Sequence, residues 1–304
     1  MQDQGAERPR AGTAQMLEPG LRRILAPNPS PMTFWGTNTY LVGESALAVI
    51  DPGPDIDAHL GAILAALAPH QSVSHIFVTH SHTDHSALAA RLSETTGAAV
   101  HAFGASTAGQ SASMRALAAQ GGIDGGEGVD AAFSPHVVLR DGETVQGKGW
   151  SLTAFHTPGH FSNHLCLSWR DVMFTGDHVM GWASSMVSPP DGDLTAFMAS
   201  CRRLQTRADR RFYAGHGAPV DDPAARLDWL IRHRLSREAQ IIRALESAPA
   251  SATELAARLY TDVAPALLPA AARNVLAHLI DLQARGLAIA PEGIAFRARF
   301  HHRL

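Results

Sequence analysis

Between Phe77 and Leu88 the chain reads FVTHSHTDHSAL, which brings His80, His82, Asp84 and His85 into one stretch of six residues. Imidazole nitrogens and carboxylate oxygens at that density can hold a metal ion. With 17 histidines in the chain, some clustering arises by chance. Chance does not explain three further donors in the same local setting. His160 in HTPGHFSNH, Asp177 in FTGDHV and His216 in YAGHGAP each lie beyond a strand-like run and beside a glycine. Neutral imidazoles with carboxylates suit zinc, and a coordination position left open makes such a site catalytic. The same donors also suit manganese or iron. Two ions that share a water bring its pKa down to about 7, and one of them can polarise a carbonyl or phosphoryl oxygen. The chain has no Gly-X-Ser-X-Gly nucleophile motif and no Gly-X-Gly-X-X-Gly after a strand, so attack by activated water is the economical chemistry.

The elements around these residues have an α/β rhythm. TNTYLVG and LAVIDPG read as strands that end in turns, and DAHLGAILAAL as an amphipathic helix. SHIFVTH reads as a strand, SALAARLSETTG as a helix closed by Gly97, and AAVHAF as another strand. The His-X-His-X-Asp-His run therefore sits in a strand-to-helix loop. That is the edge of an open sheet, beyond the carboxyl ends of strands, where ligands bind. Further on, VVLRDGETVQGKGWSLTAF predicts two or three strands, NHLCLSW with DVMFTGD a hairpin, and RRFYAGHG a last strand. Near residue 222 prolines and aspartates cluster and the texture changes. Residues 223–247 have a long helical pattern. TELAARLY, LLPAAARNVLAHLIDLQARG and an expected hairpin in LAIAPEGIAF complete a winged-helix outline.

The totals agree with a globular chain of 304 residues, 45% hydrophobic and 17% charged. Cys166 and Cys201 are too few for a disulfide framework, so two free thiols in a reducing cytoplasm are expected. The polar start shows no signal peptide, and no run reaches membrane-spanning length. From Ala224 onward there are 11 arginines and 7 acids, a balance of +4; a net charge of −3 then leaves −7 for the rest. That asymmetry points to two parts with different work. The expected division is a disordered segment over 1–19, a catalytic domain over 20–222 and a winged-helix-like domain over 223–304.

The seven donors resemble the pattern of the metallo-β-lactamase superfamily over about residues 20–220. The resemblance implies an αββα sandwich of two mixed sheets, followed here by a small α+β winged-helix-like domain. It implies that His80, His82 and His160 hold a first metal and that Asp84, His85 and His216 hold a second. Asp177 then bridges them, and Asp84 orients the attacking water. Two divalent ions are expected, with zinc first and manganese or iron as alternatives. Phe34, Trp35, Trp182 and Met186 are candidates to line the substrate site, and Asp193 is expected to cap a following helix. His164 is read two ways, as a pocket residue or as a strand histidine satisfied by backbone. His178, Cys166 and Cys201 read as structural.

With its C-terminal module the chain resembles the β-lactamase-like protein 2 branch. That implies a hydrolase acting on an ester, thioester or similar carbonyl in a small-molecule or acyl-carrier substrate. An endoribonuclease acting on single-stranded RNA is the alternative. A winged-helix regulator that binds nucleic acid is the alternative from another class. Its recognition segment, Ala271–Gly286, would hold only Arg273 and Arg285, sparse for a DNA reader. The module is therefore expected to cap the site or to form a homodimer.

Overall fold

The structure, a computed structural model, describes residues 7–303. Two sheets form its centre. The first has seven strands in chain order: β1 (Ala14–Glu18), β2 (Leu21–Leu25), β3 (Asn38–Val42), β4 (Ala46–Ile50), β5 (Ser72–Phe77), β6 (Ala99–Ala102) and β7 (Val137–Val138). β1 to β4 run antiparallel and β4 to β7 parallel. The crossovers carry α1 (Asp57–Ala65), α2 (Thr83–Ser86) with α3 (Ala89–Thr96), and α4 (Ala112–Gln120). The second sheet has β8 (Thr144–Gly147), β9 (Trp150–His156), β10 (Leu165–Trp169), β11 (Val172–Gly176) and β12 (Arg211–Ala214). Its strands are antiparallel except β11 and β12, which run parallel around the crossover helix α5 (Leu194–Gln205).

Three of the four cores follow from these layers. Leu21, Tyr40, Ile50 and Phe77 meet Leu152, Leu167, Phe174 and Tyr213 between the sheets. Ile24, Val49 and Ile76 face Ile63 and Leu92 of the helices outside the first sheet. Cys166, Met173 and Phe212 face Phe197, Cys201, Leu227 and Leu230 outside the second. This is the αββα sandwich. Strands buried on both faces read as unbroken apolar runs, which is why ALAVI and VMFTG lack alternation.

The C-terminal unit consists of α6 (Pro223–Ser247), α7 (Ala252–Leu259), α8 (Leu268–Ala284), β13 (Ala288–Ile289) and β14 (His301–His302). Asp222 Oδ1 accepts from Ala225 N and Pro223 opens α6, which fixes where that helix begins. Asp193 caps α5 in the same way, and Ser251 with Glu254 forms a capping box on α7.

Two expectations need correction. Residues 1–19 are not a disordered segment throughout. Ala14–Glu18 forms β1, because Arg23 bonds Gln15 and Arg210 bonds Glu18, tying a polar edge strand to the sheet. Residues 1–6 lie outside the described residues. Nor does LAIAPEGIAF fold back on itself as a hairpin: β13 pairs with His301–His302 instead.

Candidate metal centre

All seven donors stand beyond the carboxyl ends of strands. His80, His82, Asp84 and His85 follow β5, His160 lies between β9 and β10, Asp177 follows β11, and His216 follows β12. Glycine makes the convergence sterically feasible. A Cβ on Gly215 would come within 2.4 Å of Asp177 Oδ1 and 2.6 Å of His85 Cε1. A Cβ on Gly176, at φ +45°, would come about as close to Thr79 and His164.

The donor atoms form three overlapping groups, His80/His82/His160, His80/His85/Asp177 and Asp84/His85/His216, with the atoms of each within 4.8 Å of one another. His82 Nδ1 lies 2.9 Å from His80 Nε2 and 3.1 Å from His160 Nε2. His216 Nε2 is 3.2 Å from both Asp84 Oδ2 and Asp177 Oδ2, and His85 Nε2 is 3.4 Å from Asp177 Oδ1. Asp177 reaches toward both sides, and its Oδ1 is buried without a hydrogen-bond partner.

Neighbouring groups fix which nitrogen faces inward. Thr79 Oγ1 donates to Asp51 Oδ2, so at 3.0 Å it accepts from His80 Nδ1–H. His160 Nδ1–H donates to Met186 O at 2.7 Å, His216 Nδ1–H to Gly36 O at 3.1 Å, and His85 Nδ1–H to Asp51 Oδ2 at 2.9 Å. Four rings thus spend their Nδ1–H outward and turn Nε2 inward, the arrangement that orients histidine ligands in metal sites. Burial, reinforced by the neighbouring imidazoles, pushes His82 down to about 3 and holds His80 well below its ordinary value. Burial also lowers His160. These three rings are neutral, and their lone pairs face one another. On the other side burial would lower His85 and His216, but the carboxylates outweigh it. Asp84, Asp177 and Asp51 hold His85 well above its usual value, and Asp177 with Asp84 brings His216 up to about 9. Facing lone pairs and excess carboxylate call for positive charge at this point, and the donor set fits divalent metal ions.

Sequence reasoning did not single out Asp51. It accepts from Thr79 N, Thr79 Oγ1 and His85 Nδ1, at a left-handed φ of +50°. The only signal was a carboxylate ending a strand, in VIDPG. Among the lining candidates, Trp182 and Met186 border a cleft of about 220 Å³ that opens on His160 and Asp177. Phe34 stacks on Trp182 at 4.8 Å and Trp35 stacks on Phe34, so they reach the cleft through Trp182 rather than lining it themselves. His164 is not a pocket residue: it is fully buried, and its Nδ1 bonds Thr157 Oγ1. His178 is buried beside Cys201, and both cysteines are free and buried.

A profile described as Metallo-beta-lactamase superfamily matches residues 32–216, and one described as Beta-lactamase associated winged helix domain matches residues 251–294. The Beta-lactamase-like protein 2 homolog of Drosophila melanogaster is 29% identical, covering 87% of this chain and 88% of that protein. An Atrochrysone carboxyl ACP thioesterase of Cryptosporiopsis is 29% identical over 80% of this chain and 68% of its own length. Among solved structures, a Beta-lactamase domain protein from Burkholderia ambifaria superposes with a TM-score of 0.81 at 23% identity, over 98% of this chain and 96% of that one. A metallo-beta-lactamase family protein from Thermus thermophilus gives 0.74 at 26% identity, over 95% and 100%.

Proposed function

We infer, for a chain that belongs to the metallo-beta-lactamase superfamily and is a hydrolase, that its substrate is a carboxylic ester or thioester. In this reading His80, His82 and His160 would hold one divalent ion and Asp84, His85 and His216 a second, with Asp177 within reach of both sets. Zinc is the first choice for three neutral imidazoles, and manganese or iron suits the oxygen-richer set. When bound, the ions supply an acidified water and polarise the carbonyl oxygen. The protein's own residues hold the rest. Asp51 fixes the His85 ring, Met186 O fixes His160, and Gly36 O fixes His216. Asp84 holds the attacking water and takes its proton. Its side chain is 25% exposed against 10% for Asp177, so it is the carboxylate that solvent reaches.

The carrying observation is the cleft beside His160 and Asp177. Its lining is largely apolar and, among the described residues, includes no lysine or arginine. RNA would need cations along its phosphates. A duplex-binding regulator would need them on the face of α8, yet Arg273 is 5% exposed and turned inward. The relatives named as thioesterases agree with the ester reading. No helix among the described residues is long and apolar enough to cross a membrane, and a cytoplasmic place accords with two free thiols.

The test is to load the purified protein with zinc, manganese or iron and assay thioesters, oxygen esters, lactones and single-stranded RNA side by side. Thioester or ester turnover that a chelator removes is expected. Turnover of RNA with none of the esters would overturn the reading.

A further inference from the structure

The cleft has two walls from different parts of the chain. The catalytic unit contributes Met180, Trp182 and Met186, and the C-terminal unit contributes Tyr260, Val263, Leu267 and Ala270. Met32, 46% exposed, stands at the rim. We propose that this inter-unit cleft is the binding site for the apolar acyl chain of the substrate, and that Val263, Leu267 and Ala270 set the acyl length accepted. The proposal rests on the ester reading above and adds which half of the ester is recognised and by which residues.

His160 and Asp177 are part of the cleft lining, so a chain lying in it can bring its carbonyl to these candidate metal ligands. Besides them the lining offers few polar groups to a ligand: Ser184, Tyr260 and Asn274. A largely apolar cavity with a small number of polar groups favours a ligand that is apolar along most of its length and polar where those groups stand. The leaving thiol or alcohol is polar and departs into water, so the acyl half is the one that gains from burial. Three methionines among the lining residues allow the wall to adapt to chain shape.

The arginines nearby do not contradict this. Arg226 Nε and a terminal nitrogen donate to Met180 O and Ala183 O, both at 2.7 Å. Arg234 donates to Ser185 O, and Arg273 to Ser188 Oγ at 2.7 Å and Pro189 O at 2.6 Å. They hold the back of the Met180–Pro190 loop, and among the described residues no guanidinium is part of the cleft lining.

The experiment uses the full-length metal-loaded protein and the acetyl, butyryl, hexanoyl and octanoyl thioesters of N-acetylcysteamine. We expect kcat/KM to rise by roughly threefold per added methylene until the cleft is filled. In Ala270→Phe the octanoyl-to-acetyl ratio of kcat/KM falls at least about tenfold, and Val263→Asp penalises hexanoyl and octanoyl in the same sense. Calorimetry with octanamide, which carries the chain without a hydrolysable bond, gives binding with a negative heat-capacity change. That affinity falls at least about tenfold in Ala270→Phe. Circular dichroism and thermal melting of both variants establish that they are folded. A rate that is flat or falls with chain length, or a length profile unchanged in two folded variants, overturns the proposal. Hydrolysis of none of the thioesters defeats the ester reading instead; octanamide binding lost in Ala270→Phe would still support the cleft assignment.

Discussion

Asp84 and Asp177 both reach His216 Nε2 at 3.2 Å, but they differ in what else depends on them. Asp177 is buried between the two histidine groups, whereas among the described residues Asp84 accepts just a 3.3 Å hydrogen bond from Thr37 Oγ1 besides its histidine contacts. Asp84→Ala should therefore lower kcat by about 10² to 10⁴, the usual worth of a positioned acid or base. Thermal stability should stay near wild type, and elemental analysis should still find at least one metal ion. A fully active Asp84→Ala protein would remove the role assigned to it. A second residue-scale expectation concerns pH. His59 is buried, its Nε2–H donates to Thr39 Oγ1 at 2.8 Å, and Thr39 in turn donates to Asp51 O. Burial pushes His59 down to about 4. Its unfolded value is about 6.5, so the unfolded chain binds the proton first. The His59 contribution is complete above about 6.5 and is lost as pH falls toward about 4. Chemical denaturation from pH 7 to 4 should show a shallower loss in His59→Gln than in wild type, and equal slopes would refute the linkage. The convergence of the seven candidate donors was legible because their types and their strand-end glycines recur. Asp51, Thr79 and the carbonyls of Gly36 and Met186 were not. They act through position, and a backbone oxygen carries no letter.

Among the elements, the Met180–Pro190 loop shows the limit of reading by composition. Trp182 and Met186 marked it as a candidate lining, but its fixings come from distant helices. Asn274 Oδ1, on α8, accepts from Val187 N at 3.0 Å and from Arg234 of α6 at 3.0 Å. Val187 follows Met186, whose carbonyl orients His160, so α6 and α8 reach the candidate metal ligands through one turn of backbone. In the sequence the arginines beyond Ala224 read only as part of a +4 charge balance, because a buried partner carbonyl cannot be anticipated. Removing the Asn274 acceptor leaves a buried Val187 N–H unpaired, at a cost of about 1–3 kcal/mol. Asn274→Ala should unfold at lower denaturant by that amount. Its metal affinity should fall about tenfold or more, the range found when outer partners of metal ligands are lost. Equilibrium dialysis against a chelator buffer measures the second effect. Wild-type affinity in a destabilised Asn274→Ala protein would show that the loop orients His160 without help from α8.

Across the whole molecule, the sandwich and the winged helix were both legible, since strand and helix periods differ and the change of texture near residue 222 is sharp. The way the two units share cores was not. Leu227 and Leu230 of α6 pack in the sandwich's outer core together with Ala277 of α8. The far end of the same helix, Ile241 and Leu245, packs in the C-terminal core. Met114, Leu117 and Ile123, from the region of α4, join that C-terminal core although they lie over a hundred residues upstream of it. Arg273 adds polar ties to Asp124 O, Ser188 and Pro189. Sequence patterning shows which face of a helix is apolar but not which body it packs on, so an interleaved boundary looks like a simple linker. Interleaved cores cannot open one at a time without exposing apolar surface of the other. The protein should therefore unfold in a single transition, with calorimetric and van't Hoff enthalpies equal. Divalent metal at a hundredfold excess over its dissociation constant should stabilise by about 2.7 kcal/mol through binding to the native state. That stabilisation should move the whole transition, C-terminal unit included, although every proposed ligand lies upstream of residue 217. Two resolved transitions, with only one shifted by metal, would show instead that the units are energetically independent.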